Sequence, residues 1–137
     1  MSMTKIEWSD KYSVGVEMFD DQHKVFFGII NDLYASIIER KEREVLGDIF
    51  DQLLKYMDFH FETEERYFDE FHYEHATEHR EAHQRLTERL LELRARWETG
   101  TLDNPYEVLD FLEDWLVEHI MGMDRQYHDC FLAHGLK

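Results

Sequence analysis

Helix breakers are nearly missing from this sequence. Proline occurs once, as Pro105, and glycine six times among 137 residues, and no stretch is rich in glycine, serine or proline. That poverty argues against a loop-rich chain and predicts long helices joined by short connections. Cysteine also occurs once, as Cys130, so no internal disulfide forms and no C/H zinc spacing exists. Basic residues are few: 15 Lys and Arg stand against 31 Asp and Glu, for a net charge of −16. A surface that acidic repels phosphate backbones and anionic lipid, which removes nucleic acid and membrane surfaces as expected partners and favours a monomer. No apolar run approaches membrane-span length, and residues 1–10 lack the cationic start and apolar run of a secretion signal. The expectation is a soluble protein of the reducing cytoplasm without membrane insertion, in which Cys130 is a semi-buried thiol.

What is present is periodic. Hydrophobic residues make up 43% of the chain, enough for one domain around one core. Apolar residues recur in alternating steps of three and four, the mark of a bundle seam, over four segments. The first spans about 21–40, with Phe27, Ile30, Tyr34 and Ile37 on the stripe. The second spans about 43–68 (Leu46, Phe50, Leu53, Met57) and the third about 78–98 (Leu86, Leu90, Leu93, Trp97). The fourth spans about 105–127, with Val108, Leu112 and Trp115. Asp20 is placed to cap the first helix, Asn104 and Pro105 to open the fourth, and Gly100 to close the third. Residues 1–19 read as an extended N-terminal arm, with Trp8, Tyr12 and Val14 packing on the bundle. The fold class is all-α, an up-down-up-down four-helix bundle that makes residues 1–137 a single domain.

Five of the nine histidines continue these stripes. His23 stands four before Phe27, and His60 three after Met57, with Glu64 four further on. His79 and His83 stand seven and three before Leu86, and His119 four after Trp115. One histidine on an apolar face is ordinarily a core residue with its hydrogen bond satisfied. Five with a carboxylate are different, because each buried polar group without a partner costs roughly 1–3 kcal/mol. In an up-down-up-down bundle the start of the first helix, the end of the second, the start of the third and the later part of the fourth share one end. From the ligand level to the far helix ends the four segments agree within a turn at about 1.5 Å per residue. His72, His75, His128 and His134 lie off the seams and read as solvated. Asp124 is five residues after His119, about 140° round a helix axis, and periodicity alone selects Met123 in its place.

Imidazole and carboxylate donors without thiolate suit Fe, Zn, Cu or Ni. The donors are too many for one tetrahedral zinc and suit two ions sharing bridging carboxylates. No histidine stands three residues after a Glu, so the Glu-x-x-His pattern of ferritin-like di-iron sites is absent. A histidine-rich centre with less anionic charge favours the ferrous pair over high-valent oxidation chemistry.

The ordered motifs resemble the hemerythrin family, in particular its single-domain bacterial members. They are Val14-Gly15 ahead of Asp21-Gln22-His23, then His60-Phe61-Glu62-Thr63-Glu64, then His79-Arg80-Glu81-Ala82-His83, and last Trp115-Leu116-Val117-Glu118-His119 continuing to Asp124. The likeness runs over nearly the whole chain. It implies two iron ions, cycling between Fe2+ and Fe3+ with an oxo or hydroxo bridge. His79, His83 and His119 would hold one ion. His23 and His60 would hold the other and leave it an open position for O2, while Glu64 and Asp124 would bridge the pair. The oxygen pocket of the family is apolar, and the matching positions here are Phe26, Phe61, Trp115, Leu116, Ile120 and Met123, all of which also serve as ordinary core. A dry pocket withholds the protons and water that would end reversibility.

The function so implied is reversible O2 binding, for storage or for delivery to an oxygen-consuming enzyme, and not enzymatic turnover. The competing expectations are an oxygen or redox sensing module and a di-iron oxidase or peroxidase. Sensor versions in the family are usually fused to signalling domains, and this chain shows none. No proton relay is evident in the expected pocket. A closed seven-ligand site leaves no room for a mineral core, which disfavours iron storage.

Overall fold

The computed structural model describes residues 5–102 and 104–136, so positions 1–4 of the expected arm lie outside the described residues. Four long helices follow one another: α1 (Glu17–Ile38), α2 (Glu42–Glu70), α3 (Ala76–Glu98) and α4 (Tyr106–His119). A π turn (Ile120–Asp124) continues α4, and a short α5 (His128–Ala133) ends the chain. The connections are a few residues long, so successive helices run antiparallel. α1 packs on α2 and α4, and α2 on α3. The architecture is the up-down-up-down bundle with an N-terminal arm.

The seams bury what their spacing assigns to them. Phe50, Leu90, Leu93 and Val108 of the expected stripes have no exposed surface, nor have Leu33 and Leu109, which the stripes did not include. Tyr34, Trp97 and Trp115 are only half-buried, because these large rings sit at the rim of the stripe. Asn104 accepts the Tyr106 N–H at 3.0 Å and so opens α4. Gly100, at φ 76°, lets the chain leave α3 in the left-handed conformation that favours glycine.

Two local expectations are corrected. α1 begins at Glu17, four residues early, with Val16 as its N-cap. Asp20 is therefore inside the first turn, where it reaches back to accept the Val14 N–H at 2.8 Å and the Ser13 hydroxyl at 2.6 Å. It fastens the arm instead of capping the helix. The arm is further pinned by Asn31, whose side-chain oxygen accepts the Lys5 and Ile6 N–H groups at 2.9 and 3.0 Å. Trp8 and Tyr12 set their rings edge-on against Phe27. The second correction concerns His128, which is half-buried and donates from Nδ1 to the Val14 carbonyl at 2.7 Å. Gly15, at φ 76°, is what admits it: a Cβ there would lie 2.0 Å from the His128 ring. His72, His75 and His134 are exposed.

Candidate metal centre

All seven residues expected as ligands meet in one layer of the bundle. His23 comes from the start of α1, His60 and Glu64 from the last third of α2. His79 and His83 come from the start of α3, His119 from the end of α4 and Asp124 from the π turn. None is more than 6% exposed. The five imidazoles turn the same nitrogen inward. His23 Nε2 lies 3.0 Å from Asp124 Oδ2, while His79 and His119 Nε2 lie 2.7 and 2.9 Å from Asp124 Oδ1. His60 and His83 Nε2 lie 3.4 and 3.2 Å from Glu64 Oε1.

Two donor sets result. Glu64, His79, His83, His119 and Asp124 form one, and His23, His60, Glu64 and Asp124 the other, each with its donor atoms within 4.8 Å of one another. Glu64 and Asp124 belong to both. Their position between the sets is that of carboxylates shared by two cations.

The π turn brings Asp124 there. Its hydrogen bonds run to the fifth residue in place of the fourth, so the turn takes in one extra residue and the residue five after His119 comes round to the same face. Met123, which regular periodicity selects, is only half-buried. The reason is the one extra residue in the turn, which no 3.6-residue pattern contains.

The donors fit a metal pair on three counts. First, both oxygens of Glu64 and of Asp124, both nitrogens of His23 and His83 Nε2 are buried without a hydrogen-bond partner, despite the short approaches among them. Orphaned polar atoms of this kind are rare unless something else occupies their lone pairs. Second, donors about 2.1 Å from a common ion lie roughly 3.0 to 3.4 Å apart in octahedral or tetrahedral arrangements, much as these do. Third, the protonation states of four donors suit ligation. Burial pushes His60 down to about 3 against the opposing charges of Glu64 and Asp124, and burial lowers His119 as well, so both are neutral imidazoles. Burial and Asp124 act to raise Glu64, but His60 and His83 outweigh them and bring it down to about 2. For Asp124 burial is likewise outweighed, by His119, His23 and His79, and the carboxyl lies well below the usual range. His83 is the exception: burial is outweighed by Glu64 and Glu65, which hold it up at about 9, so a cation must displace a proton there. Two ionised carboxylates in a dry layer call for cations.

Three further residues serve the layer and were not singled out from the sequence. Gln22, buried in α1, faces His60 Nδ1 with its Oε1 at 2.5 Å. Its spacing, three after Phe19 and four before Phe26, places it on the seam and is a usable signal. Glu65 faces His83 Nδ1 at 3.3 Å, and nothing in the pattern marks it. Tyr127 is fully buried, stacks on His79 at 5.9 Å between centroids, and is held well above the usual phenol range by burial and by Glu64.

One turn deeper than the ligands lies a cavity of about 20 Å³, walled by Phe26, Ile30, Leu53, Met57, Leu86, Leu112, Trp115 and Leu116. Of the six positions expected around an oxygen pocket, Phe26, Trp115 and Leu116 line it. Phe61 instead stacks on His83, at 3.7 Å and 6° between planes. Ile120 is fully buried and Met123 half-buried, and neither lines the cavity.

An antiparallel helical bundle whose end layer gathers five imidazoles and two carboxylates able to hold metal defines a metal-binding bundle protein. Residues 14–131 match the family model described as the hemerythrin HHE cation binding domain, and the chain belongs to that family. It is 30% identical to a bacteriohemerythrin of Stenotrophomonas maltophilia (strain R551-3), over 96% of this chain and 85% of that protein. It is 28% identical to a bacteriohemerythrin of Methylococcus capsulatus, over 96% of this chain and 100% of that one. A crystal structure of wild-type hemerythrin superposes with a TM-score of 0.85 at 28% identity, covering 92% of this chain and 97% of that chain. Among the described residues no helix is long and apolar enough to cross a membrane.

Proposed function

We propose that this chain holds two iron ions in the His/Glu/Asp layer and binds O2 there reversibly, as an oxygen store or a supply to an oxygen-consuming enzyme. The observation that carries the reading is the pair of donor sets sharing Glu64 and Asp124 above a dry cavity. His79, His83 and His119 would hold one ion, and His23 and His60 the other. The second set has one imidazole fewer, which would leave room there for a small ligand. Bound there, a ferrous pair would supply two electrons to O2 and recover them on release.

The chain's own part is to orient and to exclude. Gln22 holds the His60 ring with Nε2 inward. The cavity has room for about one molecule of water size. None of the side chains lining it is an acid or a base, which supports a carrier over an oxidase or peroxidase. The strongly acidic surface supports a monomer without nucleic-acid partners, and a cytoplasmic setting suits the single free thiol. The test is anaerobic loading with Fe2+, addition of O2, and removal of the gas under a visible spectrum. Colour that returns and disappears with the gas supports the carrier. Irreversible oxidation with peroxide in solution rejects it.

A further inference from the structure

The two halves of the metal centre are backed by unlike acceptors. Behind His60 stands Gln22, a neutral amide with its oxygen 2.5 Å from Nδ1. Behind His83 stands Glu65, a carboxylate with Oε2 3.3 Å from Nδ1. Each Nδ1 faces its acceptor outward, and with the ring proton held there each Nε2 can turn its lone pair to a cation at the centre. The two acceptors differ in charge, and charge decides how much electron density the ring passes on. An N–H donating to an anion makes the opposite nitrogen a better ligand than an N–H donating to an amide does.

Glu65 is also built in. Arg80 Nε lies 3.3 Å from its Oε1, and the same guanidinium donates to the Glu65 backbone carbonyl at 3.2 Å and to Asp69. Phe61 lies flat on the other side of the arrangement, stacked on the His83 ring. The ring is thus fixed on its face by Phe61 and at Nδ1 by Glu65. Glu65, Arg80 and Asp69 line an open cleft between α2 and α3 that reaches His83 from solvent.

We propose that Glu65 is a positioning residue whose anionic contact with His83 makes the His79–His83–His119 half the tighter and first-filled metal site, while Gln22 leaves the His23–His60 half weaker. The inference rests on the dinuclear reading above and adds an order of filling to it.

Metal-free protein titrated with Co2+ without oxygen, by calorimetry and visible spectrum, tests it. The native chain takes up two ions in two resolved steps. Glu65→Gln weakens the first step by about ten- to a hundredfold, shifts the spectrum of the first ion, and leaves the second step and the two-ion end point unchanged. Gln22→Glu strengthens the second step and narrows the gap. Arg80→Gln, which removes the cleft ion pair but keeps Glu65, leaves the first step native or tighter. A purely structural role for the cleft would make it as harmful as Glu65→Gln, and that result overturns the proposal. So does a Glu65→Gln effect that is absent or confined to the second step. If Glu65→Gln does not fold, Gln22→Glu decides, and an unchanged or wider gap overturns the proposal. A native chain that binds only one Co2+ rejects the dinuclear reading itself.

Discussion

The two ends of this bundle are built on one spacing and finished in opposite ways. At the end away from the ligands, Leu33, Leu46, Phe50, Leu93 and Leu109 close the interior by packing alone. At the other, the same inward positions carry His23, His60, His79, His83 and His119. Their layer leaves the oxygens of Glu64 and Asp124 without hydrogen bonds. The first end is complete when the chain has folded; on the proposed reading the second is complete only with cations. Stability at the ligand end is therefore coupled to metal, whereas stability at the apolar end depends on shape and volume.

Substitutions should separate the ends. The largest effect is expected from Asp124→Ala, which takes a donor from both sets at once. It should reduce bound metal from two ions per chain to one or none, as read by elemental analysis of desalted protein. Leu93→Ala at the apolar end should do the reverse. It should cost about 2–5 kcal/mol in denaturant unfolding through lost burial and a residual cavity, with metal content unchanged. Asn104→Ala, also at that end, removes the oxygen that accepts the Tyr106 N–H and should cost about 1 kcal/mol in the same assay, again with both ions retained. The smallest effect is expected from deletion of Gly122. This exposed residue of the π turn has open space at its Cβ position, and without it the five-residue step becomes the ordinary four. The aspartate stays on the ligand face, so two ions should still bind; loss of one by elemental analysis would show that the π turn is itself required.

The contrast also explains what the sequence could disclose. Buried leucines and inward histidines obey one helical period, so the four helices and the five inward histidines are legible together, as is Glu64 four after His60. Asp124 was not, because a π turn adds a residue that the period does not contain; only the family resemblance supplied it. Asp20 looked like a cap because it precedes a hydrophobic stripe, but its carboxylate holds the arm, and α1 starts three residues before it. Gln22 obeys the seam yet is polar without being a ligand, and Glu65 lies off the seam. Both act through a nitrogen facing away from the centre. The cavity wall was legible only in Phe26, Trp115 and Leu116, since Ile30, Leu53, Met57, Leu86 and Leu112 look like any other core residues until a void is seen between them.

The central claim is that two cations share Glu64 and Asp124. The most direct measurement is the iron-to-protein ratio after anaerobic Fe2+ loading and removal of excess metal, for the native chain beside a Glu64→Ala/Asp124→Ala double variant. Two irons per native chain, and a loss of the pair in the variant, is the expected result. A native ratio of one, or a ratio of two that survives removal of both carboxylates, would contradict it.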